Sequence, residues 1–234
     1  TACAVAVAIG GRSPGALGGG AAVEVSDEFP TAAQRVLLQS GEQAIVAESD
    51  MLTVVTPDRP GLFARAAGVL SLHGLDVVEA TVATQEGWAI EVFRVVSSFG
   101  PTFSWHKVVA DMERALAGRL AIRARLADRA RTYGSRRRAS YDDDVEPEVR
   151  FDVDASPEAT VVEVHALDGL GVLYRITSAL ADLDLDIVGA KVQTLGPQVV
   201  DSFYVRTTDG TKVTDAGLLA ETERALLHAL TTTS

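Results

Sequence analysis

The chain is poor in the residues that build covalent or metal frameworks. Cys3 is its only cysteine, which excludes an internal disulfide and any cysteine-rich metal site. Four histidines, His73, His106, His165 and His228, are scattered, and none stands at the spacing of a metal site or a nucleophile–base pair. No apolar run approaches the roughly 18–20 residues that a membrane-crossing helix needs. Thr1–Ile9 is apolar but lacks a basic leader and runs into Gly10-Gly11, a poor match to a signal peptide. Basic charge is also short: 21 Lys and Arg stand against 32 Asp and Glu, for a net charge of −11. The deficit is concentrated in residues 151–234, with 13 acidic and 5 basic groups, whereas 51–126 carry 7 and 8. Neither stretch offers the basic face that phosphate contacts require, so nucleic acid is not expected as a partner. One cysteine and no membrane span give the expectation of a cytoplasmic protein.

What the chain does have is a long internal repeat. Asp58-Arg59-Pro60-Gly61-Leu62 is answered 110 positions later by Asp168-Gly169-Leu170-Gly171-Val172. At the same offset and without a gap, Arg65 matches Arg175, Leu75-Asp76 matches Leu185-Asp186, Val78 matches Val188, and Phe93 matches Phe203. Solenoid units are shorter, so a repeat of this length is a duplicated domain. Each copy of roughly 75–80 residues is near the lower size limit for one buried core, which favours packing of the copies side by side.

The local patterns define the copies. Met51–Thr56 is rich in β-formers and stops at Pro57, which cannot donate to a ladder. Leu62, Phe63, Ala66, Val69 and Leu70 recur at helical spacing until Gly74. Asp76–Thr84 and Trp88–Val96 read as a hairpin about Glu86-Gly87. Ser104 can cap a helix with Trp105, Val108, Met112 and Leu116 on one face, and Leu120–Leu126 reads as a short last strand. The order is βαββαβ, a ferredoxin-like α+β fold. The second copy repeats it from Thr160 to Leu230 but ends at Ser234 with no clear last strand, so that edge is left out or filled by another segment. The expected divisions are 1–50 as linker or edge of a preceding domain, 51–126 and 150–234 as the two domains, and 127–149 as a charged connector with Arg136-Arg137-Arg138 and Asp142-Asp143-Asp144. Within 1–50, Pro30–Gln39 can form a short helix and Glu42–Ala47 an extended lead-in. A first residue of Thr gives the expectation of a piece of a longer protein.

The repeated loop joins a strand to a helix. Its backbone N–H groups therefore stand at a helix N-terminus, carry partial positive charge and can hold a carboxylate. Gly61 and Gly171 let a ligand approach the backbone. Asp58 and Asp168 can order the turn or bind an ammonium group. A free amino acid carries both charges, so the loop suits an α-amino acid. An ordinary capping turn has the same form, but its recurrence in register lowers that reading's weight. Arg59 reads as a solvated turn residue, Arg65 and Arg175 as surface pairing groups, and Trp88 and Trp105 as core or interface aromatics.

The stretches Val54–Leu62, His73–Ala80 and Thr160–Ser178 resemble tandem ACT domains, small ligand-sensing βαββαβ modules. The pairing is similar to the C-terminus of bacterial bifunctional PII uridylyltransferase/uridylyl-removing enzymes. The resemblance covers about residues 50–230 and implies a regulatory role: the ACT pair senses an amino acid, with glutamine favoured, and biases catalytic domains elsewhere in the parent chain that modify the PII protein. It implies no catalytic residue and no metal or cofactor in this chain; Mg is expected only for the catalytic domains that are not here. Asp58, Arg59, Pro60, Gly61 and Leu62 keep the full family pattern. Of Asp168, Gly169, Leu170, Gly171 and Val172, only the Asp and the close-approach Gly171 do. The first loop is therefore expected to be the better-formed ligand site, completed by Asp186, Ile187 and Val188 of the second copy. Pairing within one chain and pairing across a homodimer both remain open. Other readings are the ACT tail of an amino-acid biosynthetic enzyme or stringent-response synthetase, and an RNA-binding RRM, which shares βαββαβ but needs stacking aromatics where this chain has Glu91.

Overall fold

The computed structural model describes residues 29–97, 103–137, 146–192, 194–195 and 198–231. Cys3, the glycine-rich start, most of the Arg136–Asp144 charge run and the Gly196-Pro197 turn lie outside them. The first unit contains α1 (Ala32–Gln39), β1 (Ala44–Glu48), β2 (Met51–Pro57), α2 (Leu62–Leu72), β3 (Leu75–Gln85), β4 (Trp88–Ser97), α3 (Trp105–Leu116) and α4 (Ile122–Arg137). The second contains β5 (Glu148–Asp152), β6 (Thr160–Leu167), α5 (Val172–Ala181), β7 (Leu185–Lys191), β8 (Thr194–Leu195), β9 (Gln198–Thr207) and α6 (Ala216–Thr231).

The fold is α+β, with two ferredoxin-like units sharing one antiparallel sheet in the order β1-β2-β4-β3-β7-β9-β6-β5; β8 pairs β9 off this path. The units meet where β3 of one runs beside β7 of the other, pairing Ala80 with Ala190 and Thr81 with Gly189. Both β3 and β7 carry a register shift at the same place, between Val77 and Glu79 and between Ile187 and Gly189. A bulge at Val78 and Val188 bends each strand next to the seam. Phe93 and Phe203, matched by the repeat and both fully buried, centre the two halves of the core. The Phe63 and Phe93 rings lie 5.1 Å apart at 59°.

The last strand expected for the first unit is not formed. Leu120–Leu126 is not a strand but enters α4. Ile122 and Leu126 are buried while Ala124 is exposed, which is the spacing of a helix face and not of alternate strand residues. Arginine and alanine fill the rest of the segment, and both are strong helix formers. The helix runs on through 127–137, which the sequence assigned to a connector lacking a packed core. The outer strand of each unit comes instead from the segment preceding it: β1 pairs β2, and β5 pairs β6. Within the stretch 1–50, the short helix expected at Pro30–Gln39 is α1 and the extended lead-in expected at Glu42–Ala47 is β1, now a member of the sheet. Helix α1 opens with a capping box between Thr31 and Gln34 and covers the outer sheet face through Leu38, packed with Val55, Ala83, Ile90 and Val92. The face that an RRM would offer to RNA is covered in this unit.

The repeated arginines are structural. Arg65 Nη1 donates to the Ala115 carbonyl at 3.2 Å, and Arg175 Nε donates to Ala229 at 2.9 Å. Each adds a donor to a carbonyl in the last turn of a helix, α3 in the first unit and α6 in the second; the Ala115 carbonyl also accepts from the Gly118 N–H at 2.9 Å. They are half-buried, not the surface pairing groups that the sequence pattern suggests.

Candidate functional site

Both repeated loops adopt one conformation. Helix α2 starts at Gly61 with φ 78° and ψ 13°, and α5 at Gly171 with φ 73° and ψ 16°. This left-handed backbone admits glycine without strain and is disfavoured for other residues. Neither helix has a side-chain cap on its first turn. The Asp58 N–H donates to the Gly87 carbonyl at 2.8 Å, which ties the first loop to the β3–β4 turn. Its aspartate does not cap the helix, and the free first-turn N–H groups can meet an anion.

The surroundings of the two loops differ. Asp58, Arg59, Gly61 and Leu62 of the first loop line a cleft whose opposite wall is Asp186 and Ile187 of β7, with Thr177 and Ala181 of α5. The floor is Val82, Ala89 and Glu91. Pro60 is exposed in the turn outside this lining, and Val188, in the β7 bulge, is also outside it. Asp168, Gly169, Leu170, Gly171 and Val172 stand at the start of α5 and contribute nothing to the cleft. A methyl group on Gly171 would meet Leu126 Cδ1 at 3.3 Å, so α4 lies over the second loop. One on Gly61 would meet only Ala181 Cβ at 3.6 Å. The first loop therefore opens onto the seam between the units, and the second loop is packed against a helix.

Three carboxyl groups converge on the cleft. Glu91 is buried, and desolvation, then the carboxylates of Asp186 and Asp58, pushes it up to about 8. Asp186 is raised to about 6 by burial and by Asp58, against the opposing pull of Arg206, its cross-strand partner, and a hydrogen bond from the Ile187 backbone. Burial and like charge both disfavour ionisation, so the shifts share a sign. The sequence reading missed Glu91 as a cleft residue. Its signal was an acid inside the apolar run Ala89–Phe93, repeated as Asp201, also buried, 110 positions on.

Arg59 is tied down. Its guanidinium donates to the Leu116 carbonyl at the end of α3 and separates the cleft from a shallower groove of about 390 Å³ lined by Gln43, Thr56, Glu113 and Arg119. The free space inside the cleft itself is about 10 Å³, room for one water. Among the described residues, no group of three or more His, Cys, Asp or Glu side chains is placed to hold a metal ion, and no helix is long and apolar enough to cross a membrane.

Residues 155–233, about a third of the chain, match the family described as the ACR family N-terminal ACT domain. The chain is 38% identical over 185 residues to a bifunctional uridylyltransferase/uridylyl-removing enzyme of Gluconobacter oxydans, a match that covers 77% of this chain and 19% of that protein. It is 37% identical to the enzyme of the same description from Azospirillum brasilense, covering 76% and 20%. It spans about one fifth of the length of the curated relatives it matches. Among solved structures, the regulatory subunit of aspartate kinase from Thermus thermophilus is 15% identical, covering 81% of this chain and 99% of that one, with a TM-score of 0.23 that carries no weight. The chain thus carries an ACT domain at residues 155–233 and is similar, over about three quarters of its length, to part of the bifunctional uridylyltransferase/uridylyl-removing enzymes.

Proposed function

We propose that the cleft between the two units binds a free amino acid, with glutamine favoured, and that binding regulates the catalytic domains of a longer parent acting on the PII protein. The observation that carries this reading is the opposition of charge in one small space. Uncapped N–H groups of the α2 start face carboxylates from β2–α2 and β7. The first suit a ligand carboxylate and the second a ligand ammonium.

The closed state of the cleft supplies the coupling. An amino acid is far larger than the space of about 10 Å³, so it must part the walls. Those walls are α2 and β4 of one unit and α5 and β7 of the other; across the seam the sheet is joined by two β3–β7 residue pairs, and α2 packs on α5 near Gly68 and Tyr174. A ligand that binds the parted arrangement and not the closed one shifts the population by its differential affinity. Millimolar affinity, about −4 kcal/mol, suffices for a cellular metabolite, and a few charge-assisted hydrogen bonds provide that much.

Isothermal calorimetry on the folded chain is the test, with glutamine, glutamate and a panel of other amino acids at millimolar concentration. Heat of saturable binding with glutamine supports the reading. No heat with any amino acid contradicts it.

A further inference from the structure

We propose that Glu91 selects the ligand, accepting an amino acid whose side chain ends in an uncharged donor–acceptor group such as a carboxamide and refusing one that ends in a carboxylate. The inference rests on the amino-acid reading of the cleft and deepens it. Position separates Glu91 from the other two acids. Asp58 is exposed and Asp186 half-buried, whereas Glu91 is only 3% exposed and shares the helix-facing side of β4 with Ala89 and Phe93. A ligand ammonium keeps part of its hydration at the first two, while at the floor it would have to shed all of it. The floor is therefore left to the ligand's side chain.

The surroundings of Glu91 favour its protonated form near neutral pH. The charged groups lining the cleft are Asp58 and Arg59 from the loop and Asp186 from β7, with Arg206 across from Asp186. One Arg59 Nη2 donor is held by the Leu116 carbonyl at the cleft's edge. Helix α2 presents Leu62, Phe63 and Ala64, β3 presents Val82, and α5 presents Thr177 and Ala181. The Thr177 hydroxyl is already bonded to its own helix, at 2.8 Å from the Leu173 carbonyl. Burial and the two neighbouring carboxylates all favour the protonated acid. A protonated carboxyl offers one O–H donor and one carbonyl acceptor, the complement of a primary carboxamide. A ligand carboxylate would add a further negative charge to a site holding three acids. An apolar side chain would leave the donor and acceptor buried without partners, which a polar site rejects strongly.

The test is calorimetric titration with glutamine, glutamate and methionine between pH 7 and 9, using wild type, Glu91→Gln and Glu91→Leu, each checked for folding by circular dichroism. Wild type is expected to bind glutamine at least tenfold more tightly than glutamate. Its glutamine affinity should fall about tenfold from pH 7 to 9 as Glu91 loses its proton. Glu91→Gln keeps a donor and an acceptor but cannot titrate, so it should bind glutamine within a few-fold of wild type with a flatter pH profile. The ligand's own ammonium titrates alike in both proteins. Glu91→Leu should lose glutamine affinity tenfold or more and lose the preference for glutamine over methionine. A wild-type pH profile in Glu91→Gln, or unchanged discrimination in Glu91→Leu, overturns the role of Glu91 alone. Failure of wild type to bind any amino acid overturns the reading of the cleft itself.

Discussion

Replacing Glu91 with Gln should stabilise the ligand-free protein, and the gain should grow with pH. In the folded protein this carboxyl is pushed up to about 8, while the unfolded chain releases the proton near its ordinary value of 4.5. Over that window the native state binds the extra proton, so wild-type stability falls as pH rises and levels off above 8. At about 1.4 kcal/mol per pH unit, the loss between pH 5 and 7.5 comes to about 3 kcal/mol. Gln fills nearly the same volume and carries no charge at any pH, so it escapes the loss. Urea denaturation of both proteins at matched pH values reads the difference directly, and in a chain of this size it corresponds to about 6–12 °C in Tm. A stability difference constant within about 1 kcal/mol from pH 5 to 7.5 would show that Glu91 is ionised and solvated in the folded protein. That result would refute both the burial argument and the neutral floor built on it.

Three further perturbations probe how the site is held. Gly68→Ala on α2 places a methyl 2.5 Å from Ile122 Cγ2 and 2.8 Å from the Tyr174 ring, so despite alanine's helix propensity it should destabilise by about 1–3 kcal/mol; equal or greater urea resistance would contradict the close packing of α2, α4 and α5. Arg175→Ala removes the donors to the Ala229 and Leu170 carbonyls from a half-buried guanidinium, and should cost about 2 kcal/mol in the same assay, with a loss below about 0.5 kcal/mol counting against it. Asp111→Asn should lower the His73 pKa further. Burial, Arg125 and Arg129 already depress it, and Asp111, 3.1 Å from His73 Nε2, is what opposes them. The imidazole resonances followed by NMR titration check this, and a pKa that rises or stays put contradicts it.

The repeat made most of the fold legible. A strand closed by Pro57, helices opened by Gly61 and Gly171, and hairpins at a fixed offset are local signals that tertiary packing reinforces. Leu120–Leu126 failed because Ile122, Ala124 and Leu126 satisfy a two-residue alternation and a four-residue helical step at once, and only packing on α2 separates them. With that segment helical, the outer strand of each unit had to come from upstream, where Ala44–Glu48 and Glu148–Asp152 are too short to announce a pairing partner. In the cleft, the Asp58–Leu62 loop and Asp186-Ile187 lie together, because the repeat places loop and second strand at the seam. Glu91 was harder to find. A single acid in a strand signals either exposure or function, and the distinction needed the burial that the second unit imposes. That α4 covers the second loop was not legible at all, since it depends on the helix misread as a strand.

Hydrogen exchange of the chain with and without glutamine tests the central claim most directly, because it locates the ligand and reports the seam in one measurement. Exchange is expected to slow together at Gly61–Ala64 and at Asp186-Ile187, with little change at Asp168–Val172. Protection confined to the second loop, or none at saturating glutamine, would contradict it.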